Sequence, residues 1–235
     1  MATTAEQRDV LAVVGMTREA KILAGATVVI GGGDLEALTA RLEDELRGGV
    51  AGVVSFGLCG ALDPALKVGD VVIGESVADA ADRYDADSAW AARIAALLPD
   101  ARLGRFARAE RPVASAAEKA ELRERTGAVA VDLESFPVAK LARWFGVPFA
   151  VIRAVSDAAD RALPPAAQVG LGADGRPAVG PVFASLKSNP WQIGALIRTA
   201  LDAEDGFHAL EHARLLLGPR LAGPEADERR LRRWP

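Results

Sequence analysis

Arg153, Ser156 and Asp157 stand out for chemistry because of what precedes them. The stretch from Pro148 to Asp160 reads PFAVIRAVSDAAD. Phe149, Ala150, Val151, Ile152 and Val155 form an apolar, β-branched run, the pattern of a strand buried on both faces of a parallel sheet. The polar residues fall where that strand is expected to run out. Ligands of open α/β sheets bind outside the carboxyl ends of strands, so an ionisable pair delivered there is a candidate site. The plainer reading has Asp157 capping a turn or pairing with Arg153. Two further strand ends carry similar groups. DVLAVVG leads through Gly15 to Arg18 and Glu19, and AVAV leads to Asp132, Leu133, Glu134 and Ser135. The stretch from Ser55 to Gly60 supplies a glycine-bearing turn, where Gly57 and Gly60 let main-chain N–H groups approach a ligand closely.

Alternating elements position these groups. Apolar runs at 9–15, 27–30, 52–56, 68–77, 128–131 and 149–155 read as strands, and 99–114 holds one or two more. Thr17 is placed to cap a helix through Arg18, Glu19 and Lys21. Asp34 caps an amphipathic helix carrying Leu35, Leu38, Leu42 and Leu46, which Gly48 and Gly49 stop. Ser115 and Glu118 have capping-box spacing. Helices are also expected over 88–98, 137–145, 182–187 and 190–217, with an acidic loop at 79–87. The stretch 163–181, rich in glycine and proline, reads as a loop or lid too broken for a regular element. The alternation predicts one α/β domain over residues 1–218, a three-layer α/β/α arrangement around a twisted, largely parallel mixed sheet. Residues 219–235 read as a charged, frayed tail.

Composition narrows the classes. A chain of 235 residues, half of them hydrophobic, has ample material for one large core. The net charge of −4 argues against nucleic acid as a partner. The single cysteine, Cys59, excludes an internal disulfide and suits a reducing cytoplasm. The N-terminus has no signal-peptide pattern, and no apolar run approaches the roughly 20 residues of a membrane span. A cytoplasmic globule is expected. His208 and His212 have chelating spacing but no third ligand nearby, and Gly31-Gly32-Gly33 lacks the dinucleotide spacing.

Taken in order, the Gly15–Glu19 opening, SFGLCGAL, VGDVVIG, VDLES and RAVSDAAD resemble the motifs of the purine nucleoside phosphorylase and nucleosidase superfamily. The short N-terminal half and the LPPAAQVGLGADGRP loop look like its hopanoid-associated branch, which is thought to remove adenine from adenosylhopane. The resemblance implies roles. Asp157 is the acid at N7 of the purine. Ser156 lies beside the base. Glu134 holds the ribose hydroxyls, with Asp132 and Leu133 next to it. Glu19 orients the nucleophile with help from Arg153. Gly57, Leu58, Ser55 and Arg18 line the substrate. The chemistry needs such groups: adenine leaves poorly as an anion, and an Asp protonates it near neutral pH only if burial raises its pKa. Carboxylates near the sugar stabilise the oxocarbenium-like state.

The chain departs from the family where phosphate binds. Ser55 and Leu58 stand where phosphorylases carry an arginine and a serine, which weakens the anion grip. Glu19 instead matches nucleosidases, where a glutamate activates water, and Arg18 remains the alternative phosphate ligand. Water is slightly favoured, with phosphate open as a co-substrate and no cofactor or metal implied. The expected function is cleavage of the N-glycosidic bond of an adenine nucleoside with a bulky 5′ substituent, adenosylhopane first. The alternatives are a methylthioadenosine/adenosylhomocysteine nucleosidase and a non-catalytic nucleoside-binding module. A homo-oligomer is implied, and the lipid-linked substrate raises transient contact with a membrane surface, for which the basic tail Arg229 to Trp234 is one candidate. The 163–183 loop is expected to cover the way in for the 5′ substituent.

Overall fold

A computed structural model of the chain describes residues 9–169, 171–172 and 174–224. The apolar runs form strands β1 (Val10–Val14), β2 (Thr27–Ile30), β3 (Gly52–Ala61), β4 (Val71–Ala78), β5 (Arg83–Asp85), β6 (Arg102–Arg108), β7 (Ala130–Asp132) and β8 (Phe149–Asp157). Between and after them run α1 (Thr17–Ile22), α2 (Leu35–Gly48), α3 (Ser88–Leu97), α4 (Ala116–Thr126), α5 (Ser135–Trp144), α6 (Pro165–Gln168), α7 (Val179–Ser188) and α8 (Ile193–Leu217), with a 3-10 turn at Pro190–Gln192 before α8.

The caps explain several boundaries. Asp34 accepts the Ala37 N–H at 2.9 Å and opens α2, whose Leu38, Leu42 and Leu46 are buried. Ser115 and Glu118 form the expected capping box of α4, and Gly127 ends that helix in the left-handed conformation. At α1 the cap position falls on Met16, not Thr17. Glu19 reaches back to the free N–H groups there, so the hydroxyl of Thr17 is not needed and instead donates to the Gly175 carbonyl.

The sheet is mixed and lies between helical layers. Cores on its two faces are built with α2 and α5 on one side and with α1, α3 and α8 on the other. Part of the sheet closes on itself. β3 pairs in parallel with β8, β8 antiparallel with β4, β4 in parallel with β6, β6 in parallel with β7, and β7 antiparallel with β3. β2 and β1 extend from the first half of β3, and β5 from β4.

Closure corrects four expectations. Gly57-Leu58-Cys59-Gly60 is not a turn. These residues continue β3, because β8 pairs with them up to Asp157 and β7 takes Gly60 and Ala61. For the same reason β8 does not run out at Arg153, which lies mid-strand opposite Gly57. The acidic 79–87 loop contains β5, held against β4 at Ser76–Ala78. The 163–181 stretch contains α6 and the start of α7, with a bridge between Leu171 and Pro177. Tertiary contacts override its glycines and prolines: Ala166 is fully buried, and the Gly175 carbonyl accepts the Thr17 N–H at 2.9 Å. Residues 219–224, read from the sequence as part of the tail, pack on the domain. Leu221 is buried, and its carbonyl accepts the Trp90 indole N–H at 2.9 Å. The basic stretch from Arg229 to Trp234 lies outside the described residues.

Candidate functional site

Arg153 is the hub. Its guanidinium is 1% exposed on the middle of β8. Nε lies 2.8 Å from Asp132 Oδ2, an ion pair without hydrogen-bond alignment, and Nη2 lies 3.1 Å from Glu134 Oε2. Nη2 also donates to Ser55 Oγ at 2.6 Å, and Nη1 to the Leu58 carbonyl at 3.1 Å. Burial opposes the guanidinium's charge, but Asp132, Glu134 and Glu19 together outweigh it, so its pKa is raised.

Short elements deliver the acids. β7 is only three residues long and presents Asp132 at its end; the chain then turns through Glu134 into α5. Ser135, the first residue of α5, donates its N–H to Asp132 Oδ1 at 3.1 Å. Its hydroxyl bonds Asp132 Oδ2 and lies 2.9 Å from Ser55 Oγ. Leu133 is half-buried between the two acids. Glu134 faces Gly15 so closely that a Cβ there would sit 2.8 Å from Oε1. Burial, above all, pushes the Glu134 carboxyl up to about 7 against the pull of Arg153; Asp132 and Glu19 add to the rise.

Glu19 is also buried, and it accepts three backbone N–H groups: Gly15 and Met16 at Oε2 and Leu58 at Oε1, each at 2.8 Å. Gly57 is required beside it, since a Cβ would fall 2.4 Å from Glu19 Oε1 and 2.8 Å from Arg153 Nη1. Burial raises the Glu19 carboxyl, while Arg153 and the three amides hold it back. Three carboxylates therefore surround one cation. The cluster is net negative, and burying it is tolerable only because each charge finds several partners.

Asp157 stands apart, four residues further along β8, about 13 Å of strand. Its partner is Lys119 of α4, which the sequence reading missed. Lys119 is 1% exposed, and its Nζ donates to Asp157 Oδ2 at 2.5 Å, to the Ala158 carbonyl at 2.7 Å and to the Arg161 carbonyl at 3.0 Å. Those three acceptors satisfy all three ammonium protons. The signal was available: Lys119 lies three residues before the buried Leu122, on the inward face of α4. Burial raises the Asp157 carboxyl, and Lys119 works against that rise. Gly60 lies against the carboxylate, its missing Cβ 3.1 Å from Oδ2. Ser156 is beside it and donates to the Cys59 carbonyl at 3.3 Å. Cys59 itself is buried, and burial first of all lifts its thiol well above the ordinary range.

The structure thus joins Arg153, Glu19, Asp132, Glu134, Ser55, Gly57 and Leu58 in one cluster, with Asp157 and Ser156 further along the same strand. Arg18 is not among them. It points to α8, where its guanidinium pairs with Glu204 and lies 4.0 Å above the Phe207 ring. A side chain so engaged clamps α1 to α8 and is not free to grip phosphate. His208 and His212 are both exposed on α8.

The chain matches the model of the phosphorylase superfamily over residues 10–169. Among solved structures it is similar to a methylthioadenosine/adenosylhomocysteine nucleosidase of Neisseria meningitidis in complex with methylthio-immucillin-A. The two share 21% identity and a TM-score of 0.59, over 88% of this chain and 99% of that one. It is also similar to a futalosine hydrolase mutant of Helicobacter pylori, at 16% identity and a TM-score of 0.62, over 88% and 98% of the two chains. An adenosylhomocysteine nucleosidase of Streptococcus pyogenes, complexed with 5-methylthiotubericidin, gives 17% identity and a TM-score of 0.59 over 85% and 98%. These likenesses fix the fold, and the family match takes in β1 through α6, every strand that carries the acids and arginine of the site. On that match the chain belongs to the phosphorylase superfamily.

Proposed function

We propose that this protein hydrolyses the N-glycosidic bond of an adenine nucleoside, and that the nucleoside bears a bulky apolar 5′ group, as adenosylhopane does. The observation that carries hydrolysis is the charge of the Arg153 cluster. Glu19 already occupies the amides of Gly15, Met16 and Leu58, and the guanidinium is taken by Asp132 and Glu134. A phosphate would meet three carboxylates and no unpaired cation there. A ribosyl cation is stabilised by the same field.

In the reaction the bond from the ribose carbon to the base nitrogen breaks and its electrons pass to the adenine. Asp157 supplies the proton that N7 takes up; burial keeps its carboxyl above the ordinary value even beside Lys119. Glu134 holds the ribose hydroxyls. Water attacks the anomeric carbon and gives its proton to Glu19. The reading of a 5′ group is supported by Gly172 and Gly175, whose carbonyls accept the N–H of Gly33, between β2 and α2, and of Thr17, at the start of α1. A second reading, a nucleosidase for smaller 5′-thio nucleosides, is favoured by the names of the Neisseria meningitidis and Streptococcus pyogenes nucleosidases it resembles.

The test is adenine release from adenosylhopane, methylthioadenosine and adenosine, each with and without phosphate, with the sugar product weighed by mass spectrometry. Free ribosyl-hopane, formed at the same rate without phosphate, is expected. A phosphorylated sugar overturns hydrolysis, and preference for methylthioadenosine overturns the lipid substrate. Tight nucleoside binding with no adenine released over hours would make the protein a binding module.

A further inference from the structure

Between Arg176 and Leu201 the chain leaves the body of the fold. Of this stretch only Gln192 is buried. Its amide pins the arm together, accepting the Ala166 N–H at 2.8 Å and donating to the Ser185 carbonyl at 2.9 Å. The rest presents apolar side chains outward. Val179 and Phe183 are each 71% exposed, Trp191 93%, Ile193 47%, Ile197 57% and Leu201 62%. The spacing is regular: Val179 and Phe183 are one turn apart on α7, and Ile193, Ile197 and Leu201 are successive turns of one face of α8. α7 has none of its ten residues fully buried; Val182, Ser185 and Leu186 are half-buried. An exposed apolar face of this size marks an interaction site.

Charge tells which kind. From 176 to 201 the chain has Arg176, Lys187 and Arg198, all exposed, and no Asp or Glu. Asp174, at the margin, lies 3.8 Å from Arg176. Of the acids that follow, Asp202 pairs with Arg161 and Glu204 with Arg18, while Asp205 is exposed one turn beyond Leu201. This positive patch sits on a chain of net charge −4. A symmetric contact between two copies would set these cations against their equals. Exposed Trp and Phe with aliphatic neighbours and flanking Lys and Arg fit instead the headgroup region of an anionic bilayer.

We infer that the α7–α8 arm is a membrane-docking face for anionic lipid. It follows directly on Gly175, whose carbonyl holds the start of α1, the helix that carries Glu19, so docking sets that end of the site towards the bilayer surface. This inference rests on the reading of a lipid-linked substrate, but its test measures binding and not turnover.

The full chain is sedimented with phosphatidylcholine vesicles and with vesicles containing 30% phosphatidylglycerol, at low and high salt. Binding to the anionic vesicles is expected, weakening as salt rises. Lys187→Glu/Arg198→Glu should weaken it by about 30-fold or more, taking roughly 5-fold per cation. Trp191→Ser/Ile197→Ser should abolish it. Both pairs are exposed and none of the four residues belongs to the Arg153 cluster, so melting temperature and adenine release from soluble adenosine should hold. No binding to either vesicle, or equal binding unaffected by both variants, overturns the inference. So does a dimer in sedimentation equilibrium that Trp191→Ser/Ile197→Ser dissociates, since the face would then belong to a second copy. Vesicle binding without adenine release from any nucleoside would leave the docking face standing and end the assigned reaction.

Discussion

Replacing Lys119 with Met is the sharpest probe of the site. Met keeps the length of the side chain and removes its charge. Asp157, 13% exposed, would lose its ion pair with Lys119, and the carbonyls of Ala158 and Arg161 would lose a donor. Breaking a buried pair by removing one partner costs about 3–5 kcal/mol while the other stays ionised. At about 2–4 °C per kcal/mol for a chain of this size, the melting temperature should fall by about 6–20 °C at pH 8. The cost must depend on pH. Burial raises the Asp157 carboxyl and Lys119 opposes it. Without Lys119 the folded-state value moves further above the unfolded one. A carboxyl raised on folding contributes stability that is present below its unfolded value and lost as pH rises through its folded value. The variant should therefore lose more stability than the wild type between pH 5 and 8, and the gap should narrow as pH falls. Thermal melts of both proteins at pH 5, 6, 7 and 8 measure it. In the kinetics, the alkaline limb that reports loss of the Asp157 proton should move to higher pH in the variant, with kcat at least about 10-fold lower because the carboxylate is no longer held in place. A gap in melting temperature that stays constant across that range would refute the coupling of Lys119 to Asp157.

Three more outcomes follow from the same geometry. Asp157→Asn should bind nucleoside but lose about 10²–10⁴-fold in kcat; near-normal turnover would remove Asp157 from the reaction. Glu134, with its carboxyl raised to about 7, should make the protein lose on the order of 3 kcal/mol as pH rises from about 4.5 to 7. Glu134→Gln should flatten that slope in denaturant titrations at pH 5 and 7.5, and an unchanged slope would mean that Glu134 is not the group responsible. Gly57→Ala would drive a methyl group into Glu19 and Arg153. Adenine release should drop by about 100-fold or more, as expected for a reacting group misplaced by about 1 Å, and retained activity would show that Glu19 need not stay where it lies.

The strands of the fold were legible because their pattern is local. Runs such as VLAVV and FAVI are apolar on both faces, and only a sheet covered by helices buries both. Capping residues were legible for the same reason: Asp34, Ser115 and Glu118 act within four residues of themselves. The closed ring was not, because it is made by pairings between distant strands, β7 with β3 and β8 with β4. That is why Gly57 to Gly60 read as a turn: two glycines in four residues weaken a strand unless partners on both sides hold it. Lys119 was hidden differently. A lysine in a helix is nearly always at the surface, and its acceptors lie some 40 residues further along the chain.

The ring also changes why the site lies where it does. In an open sheet, polar residues collect where strands end. Here β3 and β8 continue past the level at which β1 stops, and their middle residues meet the ends of β7 and the start of α1. Arg153 is thus locked into a ladder on both sides, with β3 and β4, before it meets any ligand. Of its carboxylate neighbours, Asp132 is fixed in turn by Ser135 and Glu19 by three backbone amides, while Ser55 ties Ser135 to the guanidinium. Charges held this way do not reorganise when positive charge develops on a bound sugar, and preorganised charge is the larger part of what a protein can offer such a reaction. On the proposed reading, selection at the 5′ end falls to the chain around Gly172 and Gly175, outside the ring: these two carbonyls accept one N–H from Gly33 and one from Thr17, at the start of α1.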